Sequence, residues 1–247
     1  MLNEFGYHVG QWDISRFRER PPQDSFTVFD LEWHLLPDVW PGNAIATKLF
    51  TSWLPYEEID SFLEVGCGAG VTAVIAAMRG CSQVCALDIN PAAADTARLN
   101  AMRHGVGDKV TALTSDLFSE LDKDTTFDLI YWNSPFVEAP AGHDYRSQID
   151  YAAFDSDYKV HGAFFAGLEQ HMSKTTRVFL GFSETLGNPQ RLHELAAESG
   201  FTASVYRKEE IALPADYAGP RTSDGEGEGP TSFVYVLYEF RRTAPNA

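Results

Sequence analysis

From residue 60 onward, short apolar runs alternate with stretches in which apolar residues recur at helical spacing. That alternation marks βα units laid on a parallel sheet. DSFLEV (60–65) predicts the first strand, and AGVTAVIAAMRG (69–80) a helix closed at Gly80. SQVCALDI (82–89) predicts the second strand, after which Asn90 offers a helix cap and Pro91 suits the first helical position. That helix runs to about His104, KVTALTSD (109–116) is the third strand and FDLIYW (127–132) the fourth. YKVHGAFFAGLEQHM (158–172) has helical spacing, RVFLGFS (177–183) is the fifth strand, and Asn188 caps a last helix ending at Gly200.

The tail changes character. FTASVYRKEEIA (201–212) and TSFVYVLYEF (231–240) are strand-like with no helix between them, and strands joined by a loop pair antiparallel. The expected fold is α/β: a Rossmann-like, seven-stranded, mostly parallel sheet with an antiparallel last strand. Residues 1–45, rich in aromatic side chains, fall outside it and read as an N-terminal cap or lid on a domain spanning 46–247. The biased stretch SDGEGEGP (223–230) reads as a mobile acidic loop.

Candidate chemistry gathers where the strands end. LEVGCGAG (63–70) joins the first strand to its helix, and its glycines let the backbone turn sharply and approach a ligand at the helix N-terminus. A dinucleotide fingerprint starting at Gly66 would need glycine at position 71, where this chain has Val71. Asp88 ends the second strand, where a carboxylate can accept hydrogen bonds from a ribose diol, and Asp116 ends the third. Open α/β sheets bind ligands along that edge.

Composition narrows the partners. The 247 residues carry 19 Lys plus Arg against 35 Asp plus Glu, a net charge of −16 that would repel a phosphate backbone. Nucleic acid and anionic membranes are therefore disfavoured, and a small molecule or peptide is the expected substrate. No apolar run approaches the roughly 18 residues of a membrane span, and MLNEFGYHVG lacks the pattern of a signal peptide, so a cytoplasmic location is expected. Cys67, Cys81 and Cys85 are too few for a disulfide framework or a four-ligand zinc site and read as small buried hydrophobes. The oligomeric state is left open.

Taken in order, EVGCGAG, ALDINP, SDLF and NSPF resemble motifs I to IV of the class I S-adenosyl-L-methionine-dependent methyltransferases, over roughly residues 40–184. The fourth is similar to the (Asn/Asp)-Pro-Pro-(Tyr/Phe) motif of the amino-methyltransferases, which act on exocyclic amines of bases or on glutamine amides. The resemblance implies that Glu64, Gly66, Gly68 and Gly70 line the methionine end of the cofactor, that Asp88 and Ile89 sit at the ribose, and that Asp116 and Leu117 flank the adenine. Asn133, beside the cofactor, and the carbonyl of Ser134 would accept the N–H bonds of the acceptor, with Phe136 as a stacking platform. Ser134 stands where the family has its first proline; a locked φ is lost and a hydroxyl gained.

Tyr158 and His161, three apart on one helical face, are candidate bases, and Ser183 is a further hydroxyl at a strand end. Trp12, with Phe5, Tyr7 and Phe17, could present aromatic faces to a sulfonium cation, and Thr47 lies in a segment expected to pass over the cofactor. The expected function is methyl transfer to a nitrogen of a small molecule or peptide. Two alternatives stand beside it: cyclisation of the cofactor to azetidine-2-carboxylate with release of methylthioadenosine, and a non-catalytic subunit that activates a partner.

Overall fold

The computed structural model describes residues 2–41, 44–213, 217–220, 222 and 229–243; most of the acidic loop expected at 223–230 lies outside the described residues. The chain opens with helix α1 (Glu4–Glu19), the hairpin β1 (Ser25–Val28) and β2 (Leu31–His34), and α2 (Ala44–Trp53). Alternating units follow: β3 (Ser61–Val65), α3 (Val71–Met78), β4 (Gln83–Asp88), α4 (Pro91–Arg103), β5 (Val110–Thr114) and β6 (Phe127–Asn133). A small insertion, β7 (Val137–Ala139), α5 (Asp150–Ala153) and β8 (Phe154–Ser156), leads to α6 (Lys159–Leu168), β9 (Met172–Ser183) and α7 (Pro189–Glu198). The long strands β10 (Phe201–Ala212) and β11 (Ser232–Arg242) complete it.

Seven strands form the main sheet in the order β10-β11-β9-β6-β3-β4-β5. Neighbours from β9 to β5 pair parallel, whereas β11 runs antiparallel to both β9 and β10. Helices cover both faces, so β3 and β6 are buried almost continuously instead of alternating. The chain steps from β3 to β4 on one side and later to β6 on the other, which makes the C-terminal ends of β3 and β6 the crevice where such sheets hold ligands. Among the described residues no helix is long and apolar enough to cross a membrane, and all three cysteines are buried thiols.

The expected strands are present with shifts at their ends, and the largest is in β9. It begins at Met172, not 177, because the polar run before Arg177 is tied to the sheet by hydroxyls: Thr176 donates to the Phe127 carbonyl at 2.6 Å and accepts from the Ser173 N–H at 2.8 Å. Hydropathy cannot register such bonds. The β1–β2 hairpin and the β7–β8 pair also escape the apolar pattern, since each strand has only three or four residues.

One buried side chain fastens the N-terminal segment to the sheet edge. Asn100, fully enclosed on α4, accepts from the His34 N–H at 2.7 Å and donates to the carbonyls of His34 (3.0 Å) and Ala69 (2.9 Å). Asn100→Ala strands these buried groups and should lower stability by about 3 kcal/mol. Urea denaturation with a midpoint close to the parent's would refute that role.

Candidate functional site

At the C-terminal end of β3 the chain turns through Gly66 (φ 61°), Gly68 (φ 51°) and Gly70 (φ 76°), a left-handed path that side chains resist. Gly70 is also where the loop meets α4; a Cβ there would lie 2.6 Å from that of Ala97. Asp88 holds the loop in place, one oxygen accepting from the Gly68 N–H at 2.8 Å and the other from the Asn90 N–H at 2.9 Å. Burial raises its carboxyl above the ordinary value, opposed by those two N–H groups. Glu64, also buried, accepts from the Ala73 N–H at 2.8 Å at the start of α3, and burial pushes its carboxyl up to about 8.

The end of β6 forms the opposite wall. Asn133 leaves the strand with its Oδ1 buried and without a hydrogen-bond partner among the described residues, and it lines the same crevice. The Ser134 hydroxyl donates to the Gly181 carbonyl at 3.2 Å, so the group gained in place of proline ties the turn to β9 and is not offered to an acceptor. Tyr158 is fully buried; its hydroxyl donates to the Phe136 carbonyl at 2.6 Å and accepts from the Asn188 N–H at 3.0 Å. Burial raises the phenol further above its usual range. The expectation of a catalytic base at Tyr158 is therefore corrected: it fixes the backbone that carries Asn133 and Phe136.

A roof closes over both walls. Helix α1 packs close to the body because a side chain at Gly6 would collide with the Leu186 carbonyl, and one at Gly10 would come within 2.7 Å of the Phe154 ring. Asn3 caps the helix and donates to the carbonyls of Thr185 and Gly187, both at 2.9 Å, while Arg18 pairs with Asp150 at 2.6 Å. Val9, Gly10 and Asp13 thus face the crevice from above, with Trp40 beside the glycine loop.

The result is a cavity of about 500 Å³. Of the residues expected from sequence it gathers Glu64, Gly66, Gly68, Asp88, Ile89, Asp116, Leu117, Asn133, Ser134, Phe136 and Thr47, with Gly70 just beneath the loop. Tyr158 is not on its lining, and neither are Ser183, His161, Trp12 and the other N-terminal aromatics Phe5, Tyr7 and Phe17. Ser183 is buried and accepts from the Leu186 N–H; Trp12 packs its ring 5.8 Å from that of Tyr217; His161 is enclosed against Asp155, at 2.7 Å, with its ring 4.7 Å from that of Trp132. Val9, Asp13, Trp40, Trp132 and Tyr151 line the cavity unforeseen. The close spacing of Gly6 and Gly10 was the one available sign that α1 lies tight against something.

Comparison with known proteins gives a consistent picture. The family described as Methyltransferase small domain matches residues 37–195. A release factor glutamine methyltransferase of Rhodopirellula baltica is 43% identical over 30% of this chain and 26% of its own. A ribosomal RNA small subunit methyltransferase C of Serratia proteamaculans is 27% identical over 85% of this chain and 58% of its own. The chain thus spans about a quarter to six tenths of the length of these curated relatives. Among solved structures, a T. thermophilus 16S rRNA methyltransferase in complex with AdoMet and guanosine superposes with a TM-score of 0.57 at 18% identity, covering 91% of this chain and 52% of that one. A ribosomal protein L11 methylase of Lactobacillus delbrueckii gives 0.54 at 18% identity, covering 90% and 91%. The expected partners need correction: similarity along most of the chain to an rRNA methyltransferase overturns the expectation that nucleic acid is an unlikely partner. Net charge is a sum over the whole surface, and a strongly negative total does not fix the charge of one face.

Tyr158→Phe should leave the Phe136 carbonyl and the Asn188 N–H without their common partner and lower stability by about 1–3 kcal/mol. Guanidinium denaturation checks this; a midpoint unchanged from the parent's would return Tyr158 to the list of candidate bases.

Proposed function

Because this chain belongs to the methyltransferase small domain family, we propose that it is an S-adenosylmethionine-dependent methyltransferase that transfers the methyl group to a nitrogen. The residues fit that cofactor. Asp13, Asp38, Glu64, Asp88 and Asp116 line the cavity, and Lys, Arg and His are absent from its described lining, a setting suited to a ligand with a positive sulfur. Glu64, Gly66, Gly68 and Gly70 would hold the methionine end, Asp88 and Ile89 the ribose, and Asp116 with Leu117 the adenine. When bound, the cofactor supplies an electrophilic methyl group.

The observation that carries the nitrogen reading is the orphaned Oδ1 of Asn133. A buried acceptor without a donor costs free energy until something supplies one. An acceptor N–H would do so, and its nitrogen would then be oriented by a side chain whose backbone Tyr158 and Ser134 hold in place. Phe136, packed at 6.3 Å from the rings of Phe50 and Tyr235, offers a fixed flat surface beside it. The acceptor first expected was a small molecule or peptide; the relatives' names extend that range to ribosomal protein and RNA. They lend no support to cofactor cyclisation, and no observation favours a non-catalytic role.

The test is to incubate the protein with S-adenosylmethionine and fractions of a cell extract, following S-adenosylhomocysteine and the gain of a methyl group on nitrogen by mass spectrometry. Cofactor binding with transfer only to oxygen or carbon would overturn the nitrogen reading. Asn133→Ala should slow transfer by about a hundredfold, as loss of one positioned polar group does, with a smaller effect on affinity for S-adenosylhomocysteine. Asp88→Ala releases both N–H groups that set the glycine loop and should weaken that affinity by about tenfold or more in titration calorimetry.

A further inference from the structure

Resting on the transferase reading, we propose that Asp13 recognises an ammonium group on the acceptor, which makes cationic amines the substrate class of this cavity. The helix places it. Gly10, Asp13 and Phe17 follow one another on one face of α1 at spacings of three and four. Gly10 rests on Phe154 and on Val137, in the strand that follows the Asn133 turn, and the Phe17 ring lies 5.0 Å from that of Trp40. Trp40 in turn covers Gly68, its carbonyl 3.2 Å from where a Cβ would stand. Asp13 lies between these two anchors and lines the cavity from above.

Its carboxylate has no structural use that explains it. Asp13 makes no hydrogen bond or ion pair with another described residue, although two arginines share its helix: Arg18 is taken by Asp150, and Arg16 lies 5.7 Å over the Trp12 ring. Burial raises the carboxyl to about 6, opposed only in part by Arg20. The other charged groups on the cavity lining are Asp38 from the β2–α2 connection, Glu64 and Asp88 from the ends of β3 and β4, and Asp116 beyond β5. All are acidic. Asp88 and Glu64 are engaged with backbone N–H groups of the loop and α3, whereas the Asp13 carboxylate, on the roof of the cavity, has no such donor among the described residues. A half-buried, unpaired carboxylate is costly, and a cation brought by the ligand removes that cost.

The probe is putrescine, with the diol of the same length as its neutral counterpart, titrated calorimetrically into protein saturated with S-adenosylhomocysteine. Binding of the diamine but not of the diol, weakened about tenfold or more in Asp13→Asn, is the expected result. Absence of diamine binding, equal binding of the diol, or an unaltered diamine affinity in Asp13→Asn overturns the proposal. Failure of S-adenosylhomocysteine itself to bind would count against the transferase reading; its retention in Asp13→Asn shows that the variant is folded. A second readout separates recognition from structure. With a folded-state value near 6 and an unfolded one near 3.9, the folded state binds the proton more tightly, so ionisation of Asp13 lowers stability as pH rises through that window. Asp13→Asn should therefore melt higher than the parent above about pH 6, the gap closing toward about pH 4. A variant that melts lower than the parent at neutral pH would mark Asp13 as a structural partner and overturn the proposal.

Discussion

The carboxylate of Asp88, accepting one backbone N–H with each oxygen, sets the geometry on which the rest of the site depends. Three glycines in left-handed conformations have few side-chain means of holding their shape, so the loop needs an external clamp. Asp88 supplies it from the end of β4, and the Cys67 N–H, donating to the Leu87 carbonyl at 2.9 Å, adds a second tie to the same strand. The Asn90 side chain extends the arrangement outward by donating to the Asp38 carbonyl at 2.7 Å. Loop, strand end and the connection before α2 thus share one set of bonds.

The cost of that arrangement is electrostatic. Glu64 and Asp88 are both buried enough for their carboxyls to be raised, and each lies among backbone N–H donors instead of opposite a cation. Dipoles oriented by a glycine loop and by the start of α3 stabilise a negative charge without neutralising it. With Glu64 pushed up to about 8 and so largely protonated at neutral pH, the negative potential of the cavity rests on its other acids, and no Lys or Arg on the described lining cancels it. A positively charged ligand gains from that potential; a structural ion pair would have removed the gain.

The parallel sheet, its order of motifs and the residues along its edge were legible in the chain because each has a local cause: glycine at a turn, asparagine before proline at a cap, an acid at a strand end. What was not legible arises from contacts between distant segments. A cap was expected from the aromatic N-terminal segment, but nothing near Asp13 in sequence shows that this residue is the one lining the cavity, and nothing near Asn100 shows that its amide joins α4 to β2. Tyr158 and Ser183 were misread for the opposite reason. A hydroxyl at a strand end or on a helix reads as reactive until the structure supplies the backbone groups that occupy it.

The reassignment of Tyr158 also explains how the roof and the Asn133 wall stay in register. Asn3, at the N-cap of α1, donates to the carbonyls of Thr185 and Gly187; the next residue, Asn188, donates its N–H to the Tyr158 hydroxyl; and that hydroxyl donates to the Phe136 carbonyl. Gly187 has no room for a side chain, since a Cβ there would lie 2.6 Å from the same Phe136 carbonyl. The short segment between β9 and α7 therefore touches the roof on one side and the motif turn on the other. Displacement of α1 would pull on the carbonyl three residues beyond Asn133, so the helix that carries Asp13 and the turn that carries Asn133 are positioned by a single run of backbone.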